Sequence, residues 1–175
     1  AEATVARDKN HPSIIFWTVG NENPWTPPVA NTVRRVQQLD PTRPAAAPTV
    51  GSLMTRVGDQ MAPVVDIMTG HYPSVSTLKQ WAQRWPSKPI VSTEYDHALG
   101  LSLEDLAAYW EAMYTTPNIA GGAVWDWNDQ GILMPANGKT PEEYPDYVWP
   151  DKDHYYDTNK YDGADGIVYA DRTPQ

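Results

Sequence analysis

The chain has 175 residues, a formal net charge of -9 and a pI of about 4.7. That is enough for one domain with a real core, but short of the roughly 250 residues of a typical closed eight-unit β/α barrel. The acidic surplus argues against nucleic acid as a partner, because binders of a phosphate backbone carry a basic face. The absence of cysteine excludes disulfides and thiolate metal sites, and no apolar run approaches the roughly 20 residues a membrane helix needs. The start Ala1-Glu2-Ala3 has neither an initiating Met nor a signal-peptide pattern. A soluble piece of a longer polypeptide is therefore expected.

The elements alternate. Residues 14–19, a β-branched and aromatic run, predict the first strand. Thr26-Pro27-Pro28 then reads as a cap with Pro in the first helical turn, and Val29, Val33, Val36 and Leu39 follow at helical spacing. Asp40-Pro41-Thr42-Arg43-Pro44 ends that helix. A short strand over 45–49, a weak helix near 52–61 and a better strand over 64–69 come next. The following helix places Leu78, Trp81 and Trp85 on one side. Residues 90–95 form another strand, and Ser102-Leu103-Glu104-Asp105 has the form of a capping box. It opens a helix expected to bury Leu103, Leu106, Ala107, Trp110 and Met113. Residues 121–127 supply the last strand. Five strands with four intervening helices predict a parallel sheet with right-handed crossovers. Residues at about 130–163, rich in Pro, Gly, Asp, Asn and Tyr, predict an irregular loop region on the active-site side.

Two of these strands run directly into a carboxylate, at Gly20-Asn21-Glu22 and Ser92-Thr93-Glu94-Tyr95. In a β/α barrel the reacting groups stand at the carboxyl ends of the strands. Hydrolysis of a glycosidic bond needs two carboxyl groups, so Glu22 and Glu94 are the candidate catalytic pair. Eight Trp and ten Tyr against one Phe suit the same chemistry. Each has an apolar face that can stack on a sugar and a polar edge that can hydrogen-bond it.

Four stretches together resemble the catalytic domain of glycoside hydrolase family 2, in its β-galactosidase branch. They are Arg7-Asp8-Lys9-Asn10-His11-Pro12-Ser13-Ile14-Ile15-Phe16-Trp17 running into Gly20-Asn21-Glu22, then Thr93-Glu94-Tyr95-Asp96-His97-Ala98-Leu99-Gly100. The third is Gly121-Gly122-Ala123-Val124-Trp125-Asp126-Trp127-Asn128-Asp129-Gln130, and the fourth is Gly166-Ile167-Val168-Tyr169-Ala170-Asp171-Arg172-Thr173-Pro174. The resemblance spans the chain. It implies an α/β fold, the C-terminal portion of a (β/α)8 TIM barrel carrying strands four to eight, so that 1–175 is a partial catalytic barrel domain.

The resemblance also implies roles. Glu22 falls on the acid/base and Glu94 on the nucleophile of a retaining exo-β-glycosidase, most simply one acting on terminal β-galactosides. β-Glucuronidase and β-mannosidase are alternatives, as are a sugar-binding module without turnover and an inactive fragment. Asn21 would bind the sugar's 2-hydroxyl, Tyr72 would hold the nucleophile, His97 would bind a sugar hydroxyl and Trp125 would form the floor of the sugar site. Trp127 is expected to pack behind the site, Asp8, Asn10 and His11 to brace the start of the first strand, and His71 carries no assigned role. The chemistry requires no cofactor. Mg²⁺ or Na⁺ is implied for a full-length parent, although Asp165 stands where the galactosidase branch has an Asn near its monovalent cation. Partners implied are a carbohydrate substrate, the remaining domains of a longer polypeptide and a second copy of the chain.

Overall fold

The computed structural model describes residues 1–97, 105–130, 132–133, 155–156, 166–168, 172 and 174, with 132–133 and 155–156 described by backbone alone. They form two compact units. The first comprises Ala1–Tyr95 with Ala107–Gly122, and the second Asp96–Leu106 with Ala123–Gln175.

The first unit is a β/α repeat. Helix α1 (Glu2–Asp8) precedes β1 (Trp17–Thr18), then come α2 (Pro27–Leu39), β2 (Ala45–Ala46), β3 (Thr49–Val50), α3 (Gly51–Met61), β4 (Met68–His71), α4 (Val75–Arg84), β5 (Ile90–Tyr95), α5 (Leu106–Thr115) and β6 (Ile119–Val124). Every resolved pairing among β1 to β5 is parallel: β1 with β2, β3 with β4, and β4 with β5. The larger sheet runs β3-β4-β5-β6.

The strand expected over 45–49 is divided. Pro48 has no N–H to give to a ladder, so 45–46 pair with β1 and 49–50 pair with β4. The Asp66 N–H donates to the Ala45 carbonyl at 2.9 Å, which carries the pairing along both sides of this one strand position. Five consecutive strand positions result, the number the sequence pattern implies.

Helix α2 forms over its expected span because Thr26 is extended ahead of two prolines in the first turn, and it buries Ala30, Val33 and Val36. Ser74 caps α4 by accepting from the Thr77 N–H at 3.2 Å. Leu78, Trp81 and Trp85 are all buried, as their spacing predicts. The core lies between helices and sheet, with Met54, Met61, Met68, Leu78, Trp81 and Ile90 fully enclosed. Gly70 marks the closest approach. A Cβ there would stand 2.8 Å from the Trp81 ring and 2.9 Å from the Met54 sulfur, so this strand position must be bare for the indole to lie on the sheet.

One expected helix face needs correcting, and one helix is additional. Helix α5 buries Tyr109, Ala112 and Met113, while Trp110 is 46 % exposed and Ala107 is exposed as well. The Tyr109 hydroxyl donates to the buried Pro73 carbonyl at 2.6 Å, which satisfies that hydroxyl on the buried face of the helix. The capping box, at 102–104, lies outside the described residues. Helix α1 is the second difference. It is too short and polar to show a period, and it is held by one buried side chain, Val5, and by the Arg35 to Glu2 ion pair.

Asp40 pins β1 to the loop after α2. Its carboxylate accepts from the Trp17 indole N–H at 2.9 Å, from Arg43 at 2.8 Å and from the Thr42 hydroxyl at 2.5 Å. The Thr42 hydroxyl first, then the indole, hold this buried carboxyl well below the usual carboxylate range. A carboxyl with a depressed folded-state pKa contributes stability above its unfolded value. That contribution fades as pH falls through about 4, where the unfolded chain takes up the proton first. Asp40→Asn is accordingly expected to lower the urea midpoint at neutral pH, with the gap from wild type narrowing in acid. An equal gap at both pH values would contradict this.

In the second unit, two of the four motif stretches meet. The Asp129 and Val168 N–H groups donate to the Val168 and Trp127 carbonyls, each at 3.0 Å, and the Gly166 N–H donates to the buried Asp129 carboxylate at 2.8 Å. A Cβ on Gly166 would fall 2.1 Å from the Asp129 nitrogen, so only glycine permits this approach. Trp127, expected behind the site, is 64 % exposed. Its backbone is committed to residues 166–168 and its ring points outward. A short antiparallel pair, β7 (Ile132–Leu133) with β8 (Tyr155–Tyr156), is described within the expected irregular stretch; the rest of that stretch, and Asp165, lie outside the described residues. Among the described residues no helix is long and apolar enough to cross a membrane.

Candidate active site

Three side chains from the carboxyl ends of β1, β4 and β5 converge. Glu22, His71 and Glu94 each offer an atom within 4.8 Å of the others. The Glu22 Oε1 lies 3.1 Å from the His71 Nδ1, and the Glu94 Oε2 lies 3.3 Å from the same nitrogen.

The placement follows from local backbone. Gly20, at φ +74°, lets the chain turn directly after β1, and Glu22 itself sits at φ +52°. In the same turn the Asn21 N–H donates to the Asn23 side chain at 3.3 Å. A left-handed backbone at a non-glycine residue is uncommon and costs about 1–2 kcal/mol, so the surrounding structure must over-determine it. Along β4, the bare Gly70 faces the helices. Its successor His71 turns to the opposite face and is 2 % exposed. A register shift between Gly70 and His71 then sets His71 against Glu94 and leaves Thr93 unpaired across the ladder. Such bulges re-aim side chains near sites of chemistry.

Tyr72, also left-handed at φ +51°, donates its phenol to the Glu94 Oε2 at 2.5 Å. The Tyr72 N–H donates to the Glu94 carbonyl at 2.7 Å. Glu94 is thus held through backbone and side chain together. Its side chain is 12 % exposed while that of Glu22 is 42 % exposed. One carboxylate is enclosed and fixed, and the other faces solvent.

Of the residues singled out from sequence, Glu22, Tyr72 and Glu94 come together, with Asn21 exposed on the Glu22 turn. His97 and Trp125 belong to the second unit, where both are partly buried. The Trp125–Asp126 peptide bond there is cis. In that unit Asp96 is buried with its Oδ2 unpartnered, and burial, then the charge of Asp105, push its carboxyl up. His71 is the residue that sequence reasoning passed over. The available signal was its position at the end of a predicted strand beside Tyr72, but a lone His at a strand end is ordinary in a core.

The cluster does not fit magnesium. Mg²⁺ takes oxygen ligands in near-ideal octahedral geometry, whereas one of these three donors is a buried imidazole nitrogen at hydrogen-bond distance from both carboxylates.

A parallel β/α sheet with a carboxylate pair at its carboxyl-terminal rim defines a barrel protein with a paired-carboxylate centre. The chain belongs to glycosyl hydrolase family 2: the family described as "Glycosyl hydrolases family 2, TIM barrel domain" matches residues 1–175. It is 31% identical over 183 aligned positions to a β-galactosidase of Leuconostoc mesenteroides subsp. mesenteroides, covering 98% of this chain and 16% of that protein. Among solved structures it is similar to a glycosyl hydrolase family 2 member from Bacteroides cellulosilyticus, with a TM-score of 0.59 and 28% identity over 82% of this chain and 20% of that one. It also shares its fold with a calcium-binding mutant of Bacteroides uniformis β-glucuronidase 2, with a TM-score of 0.66 and 21% identity over 99% and 23% of the two chains. The chain therefore spans about a sixth to a quarter of the length of these relatives.

Proposed function

We propose that these residues form part of the catalytic centre of a retaining exo-β-glycosidase acting on terminal β-galactosides. The observation that carries this is the Glu22 and Glu94 pair, with oxygens within 4.8 Å of each other and a phenol seated on Glu94. Retaining enzymes hold their carboxyl groups about 5–5.5 Å apart, and inverting ones about 6.5–9.5 Å to admit a water. The close pair favours double displacement.

In the first step the Glu94 oxygen forms a bond to the anomeric carbon. The bond from that carbon to the departing oxygen breaks, and Glu22 delivers its proton to that oxygen. In the second step Glu22 takes a proton from water. The water oxygen bonds to the anomeric carbon and the Glu94 ester bond breaks, restoring both groups. Tyr72 aims Glu94, since its phenol donates to the Glu94 Oε2 and fixes which oxygen is left to attack. Asn21 is the proposed partner of the 2-hydroxyl, and His97 and Trp125 the proposed contacts to the rest of the sugar.

The 31% identical β-galactosidase supports the galactoside over the glucuronide and the mannoside. No resident cofactor is needed for these steps, and Mg²⁺ or Na⁺ in a longer parent would need ligands beyond the single carboxylate of Glu22. The proposed partners are the carbohydrate, the remaining domains of a longer polypeptide and a second copy of the chain. Nitrophenol release from β-galactoside, β-glucuronide and β-mannoside, measured on 1–175 and on a longer polypeptide containing it, tests the reading. Turnover of the glucuronide or mannoside alone would overturn the galactoside assignment. Tyr72→Phe is expected to lower kcat on the order of 10- to 100-fold, the worth of a hydrogen bond to a charged group, with the folded state retained by circular dichroism. Unchanged kcat would remove Tyr72 from the centre.

A further inference from the structure

We infer that His71 is a positioning residue that serves the two carboxylates in turn, through a single Nδ1–H shared between Glu22 and Glu94. This rests on the double-displacement reading above. One ring nitrogen is hydrogen-bonded to the Glu22 Oε1 at 3.1 Å and lies 3.3 Å from the Glu94 Oε2, within reach of the second carboxylate. With a carboxylate oxygen on either side of it, that nitrogen meets its neighbours as a donor, so Nδ1 carries a hydrogen. Among the described residues the groups facing His71 include Glu22, Glu94 and the Tyr72 ring, which is set nearly perpendicular with its centroid 5.9 Å away.

The two acceptors differ in when they carry charge. Before bond cleavage Glu94 is ionised and Glu22 holds the proton, so the Nδ1–H is drawn to the Glu94 Oε2. That oxygen also takes the Tyr72 phenol, which leaves the Glu94 Oε1 as the attacking atom. Once Glu94 is an ester its oxygen is a weaker acceptor, and Glu22 has just lost its proton. The same N–H then serves the Glu22 carboxylate without any displacement of the ring, which is 1 % exposed at its side chain and fixed in β4. The imidazole thus holds the Glu22 carboxylate in place to take the proton from water during the second step. Its effect should fall on hydrolysis of the glycosyl-enzyme more than on its formation.

Two measurements test this. The first needs no turnover. Long-range proton–nitrogen correlation spectra on the folded chain, with His71 assigned among the four histidines by its loss in His71→Asn, should show protonated Nδ1. That signal should move in both Glu22→Gln and Glu94→Gln. An Nε2-protonated ring, or an Nδ1 indifferent to either glutamate, would overturn the inference.

The second is kinetic and uses the longer polypeptide with a dinitrophenyl glycoside. His71→Phe removes the donor and keeps the bulk, and should lower kcat on the order of 10- to 100-fold. A burst of dinitrophenolate should appear, KM should fall, and azide, which needs no general base, should restore much of the steady rate. His71→Asn, with an amide N–H near the Nδ1 position, should retain most of the wild-type rate. A folded His71→Phe without a burst, or equal losses in both variants, would overturn the role of His71 alone. Turnover by Glu94→Gln, or none by the wild type, would instead sink the reading on which it rests.

Discussion

Glu94→Gln is expected to reduce turnover of any glycoside accepted by this centre on the order of 10⁴-fold or more, as removal of a nucleophile does in other covalent enzymes. The substitution is nearly isosteric. It keeps an oxygen for the Tyr72 phenol and leaves the Tyr72 N–H to Glu94 carbonyl bond untouched, so the loss reports on chemistry rather than folding. The amide has no negative charge to place on the anomeric carbon, and no covalent intermediate can form. Glu22→Ala should behave differently. Loss of acid/base catalysis is worth about 10²–10⁴-fold. With a good aryl leaving group it should slow the second step far more than the first, and azide should rescue it by giving a glycosyl azide of retained configuration. If azide rescued Glu94→Ala with retention and left Glu22→Ala unaffected, the two assignments would have to be exchanged. Equal activity of Glu94→Gln and wild type would remove double displacement altogether.

Trp81→Ala carries the largest expected effect on stability, about 3–5 kcal/mol, against a total of about 5–15 kcal/mol for an ordinary domain. The indole is 1 % exposed, lies against Gly70 and near Gly51, and donates to the Thr55 hydroxyl at 3.1 Å. Removing it opens a cavity between α3, α4 and the sheet. No nearby backbone can collapse into that space, because β4 is held by ladders on both sides. Urea titration followed by circular dichroism should show a lowered midpoint with little change in slope. A loss below about 1 kcal/mol, the level of a surface substitution, would mean that the indole is not the keystone its burial implies. Adding a Cβ at Gly70 tests the same contact from the other side, since Gly70→Ala must displace the ring.

Much of this was legible in the residues. The strand at 90–95 and the helix at 27–39 carry periods and end signals strong enough to place both at their observed bounds. The strand at 14–19 shrinks to Trp17–Thr18 because a partner on one side sets how much of an apolar run is hydrogen-bonded. The 121–127 strand begins and ends earlier, at Ile119–Val124, because 126–129 bond to 166–168 instead. Helical spacing puts Trp110 on the buried face, whereas the structure buries Tyr109 there instead, with its hydroxyl satisfied by the Pro73 carbonyl. The site divides the same way. Glu22 and Glu94 could be found because a carboxylate directly after an apolar strand breaks the pattern. His71 could not, because its place between them depends on a register shift between β4 and β5 that no local pattern encodes.

The division of one strand position at Pro48 has a mechanical consequence. Glu22 depends on β1, whose register is fixed against β2; Glu94 depends on β5, whose register is fixed through β4 against β3. Between those two frames the backbone runs through Ala47 and Pro48, with the Asp66 to Ala45 bond as a side strut. The gap between the two carboxylates is therefore set across two separately paired strand frames, which the Thr49 hydroxyl also ties together by donating to the Asn23 carbonyl at 3.2 Å. A substitution at Ala47 or Pro48 is expected to change that gap without touching either glutamate.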